Sequence, residues 1–398
     1  VLERAFVGPD DVRDGWHAAA EVEADALAVE RNAPDPGRAL RALVALLGER
    51  GLLGLTVPAA YGGTSSQVRS VPLCLARERL GYASPLVELA LAMQGLGSYP
   101  ITARGSEALR HAYLPRVAAG EAVAAFALTE EEAGSDLGML ATSARAEGDG
   151  YVLSGRKIFI SNAGVADFYV VFAVTTPAAP GGKKRLSAFV VDADRPGLRA
   201  IPQRVLGGHP IGEVHLEGVR VPASARIGDE GAGMAIALET LHKFRPTVGA
   251  AALGMGQRAL AESIVHVRTR KQFGAPLGEL QAVQMAIADM SCDLEGARLL
   301  VYRAAAVADV VAELRARNGE DAPADRARVG RTGSMAKLVA TEAAFRVVDR
   351  AVQLHGGRGV DGAGIVARLY EDVRALRIYE GASDVQRLLV ARAVLAEG

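Results

Sequence analysis

The sequence predicts an α+β chain in three parts: an N-terminal α-helical domain over 1–121, a small β-domain of barrel or sandwich type over 122–234, and a C-terminal four-helix-bundle domain over 235–398. Three observations predict this. With 398 residues the chain is too long for one simple core. Apolar residues recur at three- and four-residue spacing until about Ala122, where short β-type runs take over. From Val248 the helical spacing returns and carries on through the last third.

In the first third, Asp11–Asn32 alternates acids with Ala, Val and Leu as an amphipathic helix does. A second helix over Gly37–Arg50 is capped by Gly51, and Thr56–Gly63 has the Pro and Gly punctuation of a loop. Further helices are expected at Gln67–Leu80, Pro85–Leu96 and Ser106–Ala119, with Trp16 and Met93 as core packing. In the middle third, strands are expected at Ala124–Thr129, Phe168–Val174, Leu186–Val191 and Glu213–Glu217, with a strand pair over Tyr151–Asn162 turning near Ser154-Gly155. Residues 177–184 read as a basic, Pro/Gly-rich hairpin tip. In the last third, helices over Val248–Arg270, Glu279–Val311 and Gly333–Leu354, with a charged turn around 318–325, suggest an up-down bundle.

Composition narrows the function. Half the residues are hydrophobic and 23% are charged, as in a soluble globular protein, and a net charge of −1 argues against nucleic acid. Cys74 and Cys292 form no CxxC, and no histidine pair has zinc-hydrolase spacing, so no metal is expected and a reducing cytoplasm fits best. The first six residues lack the pattern of a secretory signal, and the weakly charged Pro246–Gln257 segment is too short to span a bilayer.

The stretch with the most chemistry is Tyr379-Glu380-Gly381-Ala382-Ser383-Asp384, ahead of an apolar and basic helical run. A carboxylate between an aromatic ring and a glycine can be held still and approached closely, which is how a general base is presented. The alternative is an ordinary acid at a helix start. The run Gly357-Arg358-Gly359-Val360-Asp361-Gly362 satisfies GxGxxG but follows a helix, so it is not a dinucleotide fingerprint.

Five ordered segments then carry a resemblance. These are Phe126-Ala127-Leu128-Thr129-Glu130 with Gly134-Ser135-Asp136, Gly155 to Ala163, Arg270-Lys271-Gln272-Phe273-Gly274, Gln353 to Gly362, and the Glu380 stretch. In order and spacing they resemble the acyl-CoA dehydrogenase family over nearly the whole chain. The resemblance implies FAD as cofactor and an acyl-CoA or other acyl thioester as substrate. It implies that Glu380 removes the α-proton while the β-carbon gives a hydride to the flavin, leaving a trans-2,3-enoyl thioester. It also implies an electron-transfer flavoprotein as acceptor and a homo-oligomer, commonly a dimer of dimers.

For FAD, similarity carries over Phe126, Leu128, Thr129, Gly134, Ser135, Phe159, Ile160 and Ser161. Arg270, Gln272, Phe273, Gln281, Gln353, Gly356 and Gly357 would serve the flavin of a neighbouring subunit, and Ala382 and Asp384 flank the cofactor. Ser135, Leu241, His242, Arg245, Tyr379 and Gly381 would meet the substrate. Arg245 is otherwise a helix-surface salt-bridge residue. Ala382 and Asp384 replace the family's usual Thr and Gln, and the acid calls for a nearby arginine if pyrophosphate is close. His242 and Phe244 also depart from the family, which suggests a branched, cyclic or carrier-bound acyl group. A flavin monooxygenase, an oxidase, a dehydrogenase specific for acyl-carrier protein and a non-catalytic binding protein are the alternatives on this fold.

Overall fold

The computed structural model describes residues 7–178, 184–319 and 322–396. Most of the expected hairpin tip at 177–184, part of the expected turn at 318–325 and the first six residues lie outside the described residues.

The helices are α1 (Pro9–Asp11), followed by a π-helical turn at Val12–His17, α2 (Ala18–Asn32), α3 (Pro36–Glu49), α4 (Ser70–Ala83), α5 (Pro85–Arg104), α6 (Glu107–Ala118), α7 (Gly233–Thr269), α8 (Gln281–Asn318), α9 (Pro323–His355), α10 (Ile365–Leu376) and α11 (Ser383–Leu395). Local chemistry explains several ends. Asp35 accepts from the Arg38 amide and Ser106 from the Leu109 amide, satisfying first-turn donors, and Gly51 takes the left-handed conformation after α3. The helix expected to start at Val248 starts at Gly233 and runs through Pro246. A proline there loses one helical hydrogen bond, but residues 243–256 are all buried, and that packing outweighs the loss.

The fold gathers into two compact units. One comprises Val1–Glu23, Arg69–Glu88 and His242–Gly398, the other Ala24–Val68 and Leu89–Leu241. In the first, α8 and α9 pack along their length, α10 and α11 pack on α9, and α4 packs on α8. Val248, Leu253, Leu294, Val301, Ala340, Val347 and Leu369 lie in its core. Gly254 lets α7 close on α4, because a Cβ there would overlap the Glu78 carbonyl. Buried polar groups tie the same elements together: Arg298 and Tyr302 of α8 both bond the Glu78 carboxylate, with Tyr302 Oη at 2.6 Å.

The second unit holds an eight-stranded sheet of β1 (Ala124–Ala127), β2 (Ser143–Glu147), β3 (Gly150–Ser161), β4 (Phe168–Thr176), β5 (Arg185–Asp192), β6 (Leu198–Pro202), β7 (Ile211–Pro222) and β8 (Arg226–Ile227). Its order is β6-β7-β3-β2-β4-β5-β8, with β1 parallel to β4. The expected turn at Ser154-Gly155 does not occur. β3 runs straight through as one strand of 12 residues, and its hairpin partner is β2. Glycine is needed at 155 for another reason: a Cβ would come 2.5 Å from Thr142 Oγ1. Tyr169, Phe172 and Phe189 fill the core on this sheet. Among the described residues no helix is long and apolar enough to cross a membrane.

Candidate active site

Glu380 lies in the turn between α10 and α11. Its φ is +51°, and that of Gly381 is +97°. Left-handed geometry costs a β-carbon-bearing residue about 1–3 kcal/mol and persists only where the surroundings impose it. Here they do. Gly381 O accepts from Lys337 Nζ at 2.8 Å and from Gln386 Nε2 at 3.1 Å. Glu342 of α9 accepts from Ser383 Oγ (2.6 Å) and Arg377 Nε (2.8 Å), pinning the other side of the turn.

The carboxylate Oε2 of Glu380 is sealed from solvent and has no hydrogen-bond partner. Burial pushes its pKa up. Arg77, Lys337 and Arg245 hold it back, and Glu88 adds to the rise. Arg245 is buried, with Nε and Nη1 unpartnered, and burial brings it down to about 10. It is therefore not the helix-surface residue of the alternative reading. Lys337 is fully buried and brought down to about 8, also by burial. A carboxylate raised in this way, with one oxygen unsatisfied, has the chemistry to take a proton from a group that reaches it. Tyr379 and Gly381 stand beside it in the same turn, and His242 is part-buried on α7.

Also in this unit, a surface cavity of about 460 Å³ is lined by His266, Thr269, Arg270, Lys271 and Arg358. Its lining includes three cations and no carboxylate, so it suits a phosphate-bearing group. The neighbouring Lys271–Gln272 and Ala275–Pro276 strands form a small hairpin with Phe273 at its tip, 93% exposed and at φ +53°. Gln281 opens α8, and Gln353, Gly356 and Gly357 close α9 into a 3₁₀ turn; all four are exposed. The glycine run thus follows a helix. Asp384 is exposed, with the Arg387 guanidinium 2.8 Å away. Ala382 is the residue before α11.

In the sheet unit, the two resembling segments are bound to each other. Ile158 N donates to Thr129 O (2.9 Å), and buried Lys157 Nζ donates to Leu128 O (3.1 Å) and to Glu130 (2.7 Å). Burial lowers Lys157 to about 8. Burial also pushes Glu130 up, but Lys157 and the Ala141 and Thr142 amides outweigh it and leave Glu130 below its usual range. Phe126 and Leu128 are buried, Thr129 is half-buried, and Gly134 and Ser135 are exposed in the following loop. Phe159 projects from β3 at φ +53°, with its amide on Gln203 Oε1 at 3.0 Å. Ile160 is buried, and Ser161 Oγ lies 3.3 Å from His209 Nε2. Leu241 is half-buried on α7.

Backbone strain follows the same residues. Among the described residues four non-glycines have positive φ: Phe159, Asn162, Phe273 and Glu380. Three are candidate site residues, as expected if strain collects where function demands a conformation. Sequence reading missed Lys337, Arg77, Glu88, Gln386, Gln203 and His209. Only Lys337 left a trace, as a lone cation among small and apolar residues in Gly333–Thr341.

A sealed carboxylate with an unsatisfied oxygen thus sits on a chain whose helical, sheet and helical parts follow one another in sequence. Family models for the N-terminal, middle and C-terminal domains of acyl-CoA dehydrogenase match residues 10–121, 125–219 and 231–395. The chain belongs to the acyl-CoA dehydrogenase family, which is a family of oxidoreductases. It is 38% identical over 391 residues to the probable acyl-CoA dehydrogenase FadE25 of Mycobacterium tuberculosis, covering 97% of this chain and 95% of the relative. It is similar to butyryl-CoA dehydrogenase from Megasphaera elsdenii, with a TM-score of 0.85 and 32% identity, covering 98% of this chain and 99% of that one. It is also similar to an acyl-CoA dehydrogenase complexed with FAD from Bacillus anthracis, with a TM-score of 0.86 and 29% identity, covering 96% of this chain and 66% of that one.

Proposed function

We propose that this chain is an FAD-dependent dehydrogenase of acyl thioesters, with Glu380 as the base that removes the α-proton. The observation that carries the reading is the unpartnered Glu380 oxygen, sealed in a strained turn that α9 and α11 hold in place. When bound, FAD supplies the acceptor for the β-hydride. The residues fit such a cofactor. Thr129, Phe159 and Ser161 of the sheet unit would hold its ring system, and the cavity of Arg270, Lys271 and Arg358 would take phosphates of a neighbouring subunit's flavin. Gly381, with no side chain, lets Gln386 close on the turn, where a Cβ would come 2.1 Å from its Nε2. The Glu380 amide would donate to the thioester carbonyl as enolate charge develops. Desolvation keeps the carboxylate basic, and excluding water strengthens each of these contacts.

We further propose a homo-oligomer that covers the exposed apolar side chains of Val265, Phe273, Met285 and Val360. An electron-transfer flavoprotein is the proposed acceptor, by analogy with the family. The test is an anaerobic titration of the purified protein with straight, branched and cyclic acyl thioesters, followed by flavin absorbance. Bleaching by one class supports the reading and names the substrate. A yellow protein that no acyl thioester bleaches, on CoA or on carrier protein, refutes it.

A further inference from the structure

The groups around Glu380 are more numerous than a base needs. Arg77 of α4, Arg245 of α7 and Lys337 of α9 bring three cations, and Glu88 of α5 is the one other carboxylate among the charges acting on it most strongly. Arg77 and Glu88 are 2% and 1% exposed, and Arg77 Nε is in ion-pair contact with Glu88 Oε1. Arg77 Nη1 also donates to Thr247 Oγ1 at 2.5 Å, and Thr247 in turn donates to Phe244 O at 2.8 Å. Thr247 is two residues from Arg245, whose Nε lies 4.0 Å from where a Cβ on Gly381 would be. The ion pair is thus bonded to the same turn of α7 that carries Arg245.

A buried ion pair rarely adds stability over an apolar pair of similar volume, because two desolvation costs offset the attraction. Its position beside a base suggests another role. Glu380 must keep a high enough proton affinity to act, yet the three cations around it, of which Lys337 also fixes its turn, pull that affinity down. Burial pushes Glu88 up while Arg77 holds it back, and their short contact keeps the two as an ion pair.

We propose that Glu88 is a positioning residue for the reaction: it is the counter-charge that absorbs most of the field of Arg77, so that the Arg77–Glu88–Thr247 group sets how firmly Glu380 holds a proton. This deepens the reading of Glu380 as the base and rests on it. Removing the Glu88 charge raises the net charge of the cluster by one. At an effective dielectric of about 20, a unit charge roughly 8–10 Å away moves a midpoint by about one pH unit.

The experiment follows the Glu380 carboxyl band by infrared difference spectroscopy across pH, on the FAD-loaded protein without substrate, the band being identified by its loss in Glu380→Gln. Glu88→Gln lowers the midpoint by about one unit. Arg77→Gln/Glu88→Gln, which removes both charges, returns it to the wild-type value or above, because Arg77 outweighs Glu88 in its effect on Glu380. A merely structural role would lower the melting temperature of both variants and leave the midpoint unmoved, which overturns the proposal. If Glu88→Gln does not fold, Arg77→Gln is compared with the double variant: a midpoint about one unit higher in Arg77→Gln, which keeps the Glu88 charge, agrees, and equal midpoints overturn the proposal. Failure of the base reading is separable. In that case the midpoints shift as described, yet no thioester bleaches the flavin.

Discussion

Replacing Lys337 with Met should leave the protein about as stable as before and still change its chemistry. Lys337 Nζ is buried and donates to Gly381 O at 2.8 Å. Its pKa of about 8, against an ordinary 10.5, records a desolvation cost carried by the charged form. At about 1.4 kcal/mol per unit this is about 3 kcal/mol at pH 7, where the amine is charged in both folded and unfolded states. A hydrogen bond from a charged donor contributes about 1.5–3 kcal/mol in return. Met fills the same volume and removes both terms, so the net change is within about 1 kcal/mol. The sign of the pH dependence can be checked as well. With the folded value below the unfolded one, the wild type gains stability as pH rises from about 8 to about 10.5, and the variant loses that gain. Glu380, however, loses a cation one residue from its own backbone. At a dielectric of about 20 and a separation of roughly 7 Å, that attraction is about 2 kcal/mol, so the acid limb of flavin reduction should rise by one to two pH units. Urea unfolding at pH 7 and a stopped-flow pH profile measure the two effects. A stability loss above about 3 kcal/mol with an unmoved limb would refute the reasoning and make Lys337 a structural residue.

Other outcomes follow from the same geometry. Glu380→Gln should stay yellow and bind acyl thioesters while flavin reduction falls about 10²–10⁴-fold or more, and retained turnover would place the base elsewhere. In the wild type, reduction should strengthen with pH through the raised Glu380 value, since only the deprotonated form accepts a proton. Arg298→Met should cost about 3–5 kcal/mol in urea unfolding, because it strips the buried Glu78 of its cation. Arg270→Gln with Arg358→Gln should weaken FAD retention at least tenfold in flavin-fluorescence titrations, and an unchanged dissociation constant would separate that cavity from the cofactor.

Local signals were legible wherever a residue has one dominant local preference. Gly51 and Ser106 mark helix ends by conformation and by capping, and both do so in the structure. Glu380 stood out because aromatic, acid and glycine are adjacent in the chain. What failed depended on distant partners. Gly155 has the look of a turn residue, yet its small size serves contact with Thr142 on the neighbouring strand. Pro246 has the look of a boundary, yet its surroundings are buried on every side. β2, Ser143–Glu147, does alternate, but over only five residues and with alanine as its only apolar residue, so pairing with β3 had to reveal it. Arg77 and Glu88 are 11 positions apart on two helices, and nothing in either local sequence tells a buried ion pair from two surface charges.

The turn that bears Glu380 is fastened to a helix of which it is no part. Lys337 and Glu342 of α9 hold its two sides, so the base takes its position from the register of α9 as much as from its own neighbours. Each residue added to or removed from α9 after these anchors would rotate the rest of the helix relative to them by about 100° and shift it by about 1.5 Å along the axis. Point substitutions can drift through most of α9 without disturbing the chemistry. Insertions and deletions cannot, and an alignment of relatives should therefore keep the 43-residue interval between Lys337 and Glu380 free of gaps wherever the base remains in this turn.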